Sequence, residues 1–239
     1  MVDVSATQNQ GYPEDPAMEA AQAFAKHLSE AGITLDGETT RAAASGGAKE
    51  VASVSSAPLS DVLSVSLKTS DNTMTEVEGR LVAVQAKETA DFAGASKAVL
   101  AQLRKDGFDT SGVTLQDSSG LAKGNKVPAR LLAQILTKAA GGEGGSVGRT
   151  LIADLPVAAL DGTLKKRLHD TTAAGTVRAK TGTLQQTSSL AGVVTTADGR
   201  QLAFAVMAND FSKDHSSAAA VEAAVDNHFV APLASCGCS

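Results

Sequence analysis

Tryptophan is absent from this sequence, tyrosine occurs once, and aromatic residues make up only 3% of the 239 positions. A core of large rings is excluded, so the apolar 43% of the chain must pack as Ala, Val, Leu and Ile, with helix favoured where Ala dominates. No apolar run approaches the roughly 20 residues of a membrane span, and the N-terminus lacks the charged-then-apolar pattern of a signal peptide. The net charge is −5 and the basic residues are scattered, which excludes the clustered cationic surface that a nucleic-acid partner requires. The densest basic group, Lys165-Lys166-Arg167, reads as a solvated helix face. Cysteine is confined to Cys236 and Cys238 in a C-terminal Cys-Gly-Cys tail. His27, His169, His215 and His228 have no metal-binding spacing to them or to each other, so no metal or cofactor is expected and the tail reads as frayed.

What is present has a clear order. Residues 1–15 read as a disordered tail or the remnant of something upstream, and 16–239 as the structured part. Helical spacing predicts helices over 16–31, 58–67, 73–84, 90–105 and 127–139. Short strands are predicted at 33–35, 51–54 and 113–115, and a Gly-rich break at 141–145. From Gly175 the pattern changes: an extended segment over 175–184 is followed by two apolar, β-branched runs, 190–195 and 202–207, flanking an Ala197-Asp198-Gly199 turn. Asp-Gly between such runs is a strong hairpin signal. An amphipathic helix over 217–229 closes the chain. Helices segregated from an antiparallel meander indicate an α+β fold.

Two tripeptides carry residue types suited to chemistry. Lys180-Thr181-Gly182 sets a cation, a hydroxyl and a bare backbone side by side on a predicted strand. Lys180 can hold a carboxylate, Thr181 can hydrogen-bond it, and Gly182 lets another backbone approach. Ser70-Asp71-Asn72 falls on a short connection between two predicted helices. It offers a hydroxyl able to relay a proton and an amide able to hold a carbonyl. Each has a plain structural reading too, as a surface strand and as a capping turn. Each arises by chance in a chain of this length on the order of a few per cent of the time, so their joint occurrence in matching contexts is far more informative.

In order and context the pair resembles the second and third motifs of serine penicillin-recognising enzymes. The chain resembles the C-terminal portion of the class C low-molecular-mass penicillin-binding proteins, the D-Ala-D-Ala carboxypeptidase/endopeptidase family. The resemblance extends to Ser56-Ala57-Pro58-Leu59, Asp117 to Leu121, Leu155-Pro156-Val157, Asp161-Gly162-Thr163-Leu164, and Ala179 to Leu184 with Leu190-Ala191-Gly192. It implies a β-lactamase/transpeptidase-like fold, an antiparallel sheet with a helical subdomain. It implies hydrolysis of peptidoglycan stem peptides ending in D-Ala-D-Ala, inhibition of the complete enzyme by β-lactams, and a place in the cell envelope, periplasmic or extracellular. By the same resemblance Ser70 shuttles a proton to the leaving amine, Asn72 binds a substrate carbonyl, Lys180 and Thr181 hold the terminal carboxylate beside Gly182, and the Thr183 N–H is an oxyanion-hole donor. Ala122 stands where the family often has Ser, and only a local effect is expected from it.

The family's first motif, Ser-x-x-Lys, is missing, because no lysine in the chain has a serine three positions before it. The sequence is therefore expected to be incomplete at the N-terminus, with the nucleophile and the export signal in an upstream part, and this chain alone is expected to be inactive. Two other readings stand beside it: a non-catalytic peptide-binding module, and a class A β-lactamase-like hydrolase. The second also needs a Glu-x-x-Leu-Asn run, which does not occur here.

Overall fold

The computed structural model describes residues 14–43, 45–211 and 215–237, the last group by backbone alone at 215–217. They divide into two units, Met1–Ser56 and Ala57–Ser239. In the first, Asp15 accepts the Met18 N–H at 3.1 Å and caps helix α1 (Pro16–Glu30), with Pro16 in the first turn where its missing N–H costs nothing. The predicted strands at 33–35 and 51–54 do not form. An alternating pattern makes a strand only if one face is buried, and Val51 and Val54 are 98% and 95% exposed. The predicted tail lies, up to residue 13, outside the described residues.

In the second unit, α2 (Leu59–Thr69), α3 (Asn72–Gln85) and α4 (Phe92–Lys105) precede α5 (Ala129–Ala140), α6 (Gly145–Asp154) and a 3₁₀ turn at Gly162–Leu164. Three strands follow, β1 (Val177–Leu184), β2 (Thr187–Thr195) and β3 (Gln201–Asn209), and then α7 (His215–Ala224), a π-helical turn at Val225–Val230 and α8 (Ala231–Ser235). The sheet is antiparallel in the order β1-β2-β3, with Lys180 opposite Ala191 and Leu190 opposite Val206. Alternation along the strands divides their side chains between two cores. Val177, Ala179, Leu190, Val194 and Phe204 pack with Leu164, Val225, Val230 and Ala234, while Ala191 and Val193 pack with Leu136, Ala139, Ile152 and Leu155. Leu164 and Leu190 are fully buried, and each contributes about 2 kcal/mol by that burial. The α+β architecture read from the sequence is the one observed.

Four local expectations are corrected. Residues 113–115 make only an isolated bridge, Thr114 to Lys126, because no second strand extends the pairing. The Gly-rich break does end α5 at Gly141, but it leads at once into the unpredicted α6. Gly148 there faces Ala139 so closely that a Cβ would lie 2.8 Å from the Ala139 Cα, so the glycines serve helix contact as well as the turn. The predicted terminal helix is shifted and interrupted by the π-helical turn. Cys236 follows α8, and Cys238 lies outside the described residues.

The last correction concerns Lys165-Lys166-Arg167, which is solvated at both lysines but is not helical, and whose Arg167 turns inward. The segment is turn, and Arg167 donates to Asp226 through Nε at 2.9 Å and a terminal nitrogen at 2.6 Å, their side chains only 14% and 9% exposed. A paired charge at that depth stabilises little, yet a single one left behind costs a great deal. Arg167→Met is expected to cost about 3 kcal/mol by stranding Asp226, as read from urea denaturation midpoints at constant slope.

Candidate active site

Helix α2 stops at Ser70 because that residue adopts a left-handed conformation, φ 57° and ψ 44°, with its N–H bonded to the Ser66 carbonyl. Asp71 then accepts the Met74 N–H at 2.8 Å and starts α3 as its N-cap. The tripeptide is thus the helix–helix connection predicted for it, and capping accounts for Asp71. Ser70 in this region carries backbone strain of about 1–2 kcal/mol, the kind of cost found where a side chain is held for use. Asn72, on the first turn of α3, lines the same cleft as Ser70.

Lys180 comes from β1, 110 positions along the chain, and its Nζ donates to Ser70 Oγ at 2.6 Å and to the Thr181 carbonyl at 2.8 Å. Burial lowers the Lys180 ammonium below the ordinary lysine range. Thr181 Oγ1 donates to Thr163 Oγ1 at 3.0 Å, and Thr183 Oγ1 to Glu222 of α7 at 2.6 Å. β1 is an edge strand. Its start is covered by the segment before the 3₁₀ turn, where Ala179 N–H donates outward to the Pro156 carbonyl at 2.9 Å. Because outward N–H groups recur every second residue, those of Thr181 and Thr183 point along the same edge, which there borders the cleft.

The cleft has a volume of about 1010 Å³ and brings together all six predicted residues: Ser70, Asn72, Lys180, Thr181, Gly182 and Thr183. Its walls are largely aliphatic, from Leu59, Leu63 and Leu67 of α2 and Val147 and Leu151 of α6. Polar groups that sequence reasoning missed, Ser66, Thr75 and Glu78, also line it. Ser66 donates to Glu78 at 3.1 Å and faces Thr75 Oγ1 at 3.2 Å. Burial raises the Glu78 carboxyl above the usual range, opposed by the Ser66 hydroxyl and reinforced by the charge of Asp71. Glu76 accepts the N–H groups of Ser118 and Ser119 at 3.0 and 2.8 Å and so fixes the opposite wall. That loop is further tied by buried Asp117, which accepts from Gly120, Ala122 and Asn125 at 2.6–2.9 Å, Ala122 taking part through its backbone N–H. Only the helical placement of Glu76 and Glu78 after the first tripeptide pointed to them, and that does not distinguish such residues from a solvated face. Among the described residues no cluster of His, Cys, Asp and Glu could hold a metal ion, and no helix is long and apolar enough to cross a membrane.

The family model described as D-Ala-D-Ala carboxypeptidase 3 (S13) matches residues 6–229. The chain belongs to that family. With it comes the class C low-molecular-mass penicillin-binding group that the motifs indicated. The S13 chain is 40% identical over 229 residues to a carboxypeptidase, DacB, of Mycolicibacterium smegmatis, covering 94% of this chain and 47% of that protein. It is 35% identical over 209 residues to a D-alanyl-D-alanine carboxypeptidase of Actinomadura, covering 83% and 38%. Among solved structures it superposes on penicillin-binding protein 4 of Haemophilus influenzae, crystallised with a β-lactam, with a TM-score of 0.77 and 28% identity over 90% of this chain and 51% of that one. The chain thus spans about half the length of these three proteins or less.

Proposed function

We propose that these residues form the peptide-terminus site and proton relay of a serine-type D-Ala-D-Ala carboxypeptidase acting on peptidoglycan in the cell envelope, with the acyl-accepting serine supplied by a Ser-x-x-Lys segment outside the 239 residues. The observation that carries it is the 2.6 Å bond joining Lys180 to Ser70, which unites the two motifs beside an open strand edge. A stem peptide adds to that edge as an antiparallel strand. Its terminal carboxylate meets Lys180 and Thr181, and Asn72 takes a backbone carbonyl of the peptide.

As the serine attacks the scissile carbonyl, negative charge gathers on the carbonyl oxygen. The outward N–H of Thr183 and the N–H of the nucleophile receive it, and one such donor stabilises the transition state by about 3–4 kcal/mol. Ser70, polarised by the Lys180 ammonium, passes the serine's proton to the departing D-alanine nitrogen. The C–N bond breaks and an acyl-enzyme remains for water to hydrolyse. A β-lactam, with its own carboxylate and strained amide, enters by the same contacts. The aliphatic walls of the cleft suit an incoming helix that carries the nucleophile.

Fluorescent penicillin tests this reading. No covalent label is expected on the 239-residue chain by itself. The chain joined behind the N-terminal portion of the M. smegmatis relative is expected to label, and the label to be lost with the serine of that segment. Stable labelling of the isolated chain would place the nucleophile within it and overturn the proposal. Failure of every fused form to label would favour a non-catalytic peptide-binding module.

A further inference from the structure

Ser70 and Lys180 come from elements 110 positions apart, and a hydrogen bond between two side chains does not by itself set how those elements are placed. A strap over residues 155–163 touches both. Lys68, two residues before Ser70 on the last turn of α2, donates through Nζ to Asp161 Oδ2 and to the Leu155 carbonyl, each at 2.7 Å. Asp161 accepts the Val157 N–H at 2.7 Å through its other oxygen, which fixes the carboxylate from two sides. Gly162 packs on the same turn of α2 so tightly that a Cβ would lie 2.7 Å from the Lys68 carbonyl. The strap meets β1 at its two ends. Ala158 donates to the Val177 carbonyl and Ala179 to that of Pro156, while Thr163 Oγ1 accepts from Thr181. A closed circuit results, running Ser70, Lys68, Asp161, Thr163, Thr181, Lys180 and back to Ser70.

We infer that Lys68 and Asp161 are positioning residues, which hold the left-handed Ser70 turn at hydrogen-bonding distance from Lys180 without touching substrate. This rests on the reading of Ser70 and Lys180 as a working pair. A misplacement of about 1 Å in such a pair lowers a rate by about a hundredfold, so a rigid strap has a use beyond stability. Burial raises Asp161, but the Lys68 ammonium and the Val157 N–H outweigh it and hold the carboxyl below the usual range, so the ion pair persists at neutral pH. With side chains 22% and 40% exposed, the pair is partly screened, and its effect is geometric more than energetic.

The test is lysine titration in the 239-residue chain, read by NMR of ¹³Cε-labelled lysine, and it needs neither nucleophile nor substrate. Lys180 is expected to titrate below ordinary lysines in the unaltered chain. In Asp161→Asn the Ser70 turn loosens, water reaches Lys180, and its titration rises toward the ordinary value. Loss of the Asp161 charge, and the release of the Lys68 ammonium that follows it, push Lys180 the other way, while Glu78 and Asp154, which line the cleft, are unchanged in sequence, so a rise reports geometry. Thr163→Val keeps the ion pair and cuts the far end of the strap, so it carries the same expectation and decides the matter if Asp161→Asn does not fold. Arg167→Met, which lowers stability elsewhere, is expected to leave Lys180 unmoved. An unchanged Lys180 titration in either folded strap variant, or an equal rise in Arg167→Met, overturns the inference. Because no acylation is measured, failure of the carboxypeptidase reading would show separately in the penicillin experiment.

Discussion

Replacing Lys180 with Met in the fused polypeptide is expected to lower the rate of penicillin acylation by about 10²–10⁴-fold while leaving the fold intact. Met keeps a straight aliphatic stem at the position on β1 opposite Ala191 of β2, so the change removes charge and three donors with little loss of volume. The proposed site gives Lys180 two functions that would go together: the cation for the ligand carboxylate, and the donor that polarises Ser70, to which it is bonded at 2.6 Å. The pH dependence has a definite sign. The amine acts as its ammonium form, and burial disfavours that form, so the group loses its proton at a lower pH than an ordinary lysine. Acylation should therefore decline on the alkaline side at a pH below the usual lysine range, and that decline should vanish in Lys180→Met. Labelling rates from pH 6 to 10 check both points. A variant that labels within about threefold of the parent would remove Lys180 from the site.

How much of this could be read beforehand follows from the physics of each element. The two tripeptides were legible because their local jobs and their chemistry coincide: Asp71 caps α3, as Ser-Asp-Asn suggests, and β1 carries Lys-Thr-Gly on a strand announced by its neighbours. The β2–β3 turn was legible for the same reason, with Gly199 at φ 82° where only glycine is unstrained. The β1–β2 turn was not. It passes through Gln185-Gln186, which carry no turn signal, so the start of β2 at Thr187 was missed by three residues. Helix α6 was hidden because Gly148 lowers helix propensity while permitting the contact with Ala139 that makes the helix worthwhile. The strap was invisible for a deeper reason. Lys68 meets Asp161 across 93 positions, and Thr163 meets Thr181 only once the sheet exists, so no window of sequence holds both partners.

Gly192→Ala is expected to destabilise the second unit by about 4 kcal/mol, large for a single methyl group. Gly192 lies on β2 opposite Ala179, one residue from the Lys180–Ala191 pair. A Cβ placed there would sit 2.1 Å from the Arg178 carbonyl oxygen and 2.5 Å from both Cα and Cβ of Ala179. These are atoms of the neighbouring strand and not the end of a flexible side chain, so relief requires β1 and β2 to part. Ordinary overpacking costs 1–3 kcal/mol because side chains can turn aside, and here none can. Gly182→Ala on β1 provides the contrast, since its Cβ would come close only to Ser189 Oγ at 2.5 Å, which can rotate away. That variant should lose no more than about 1 kcal/mol. Urea denaturation of the two, compared at equal slope, separates a backbone clash from a general intolerance of side chains in the sheet. Equal losses would mean that the close approach of β1 to β2 at Gly192 does not govern the sheet. A much larger loss at Gly192 ties the position of the Lys-Thr-Gly strand, and with it the Lys180–Ser70 contact, to the absence of one methyl group on its neighbour.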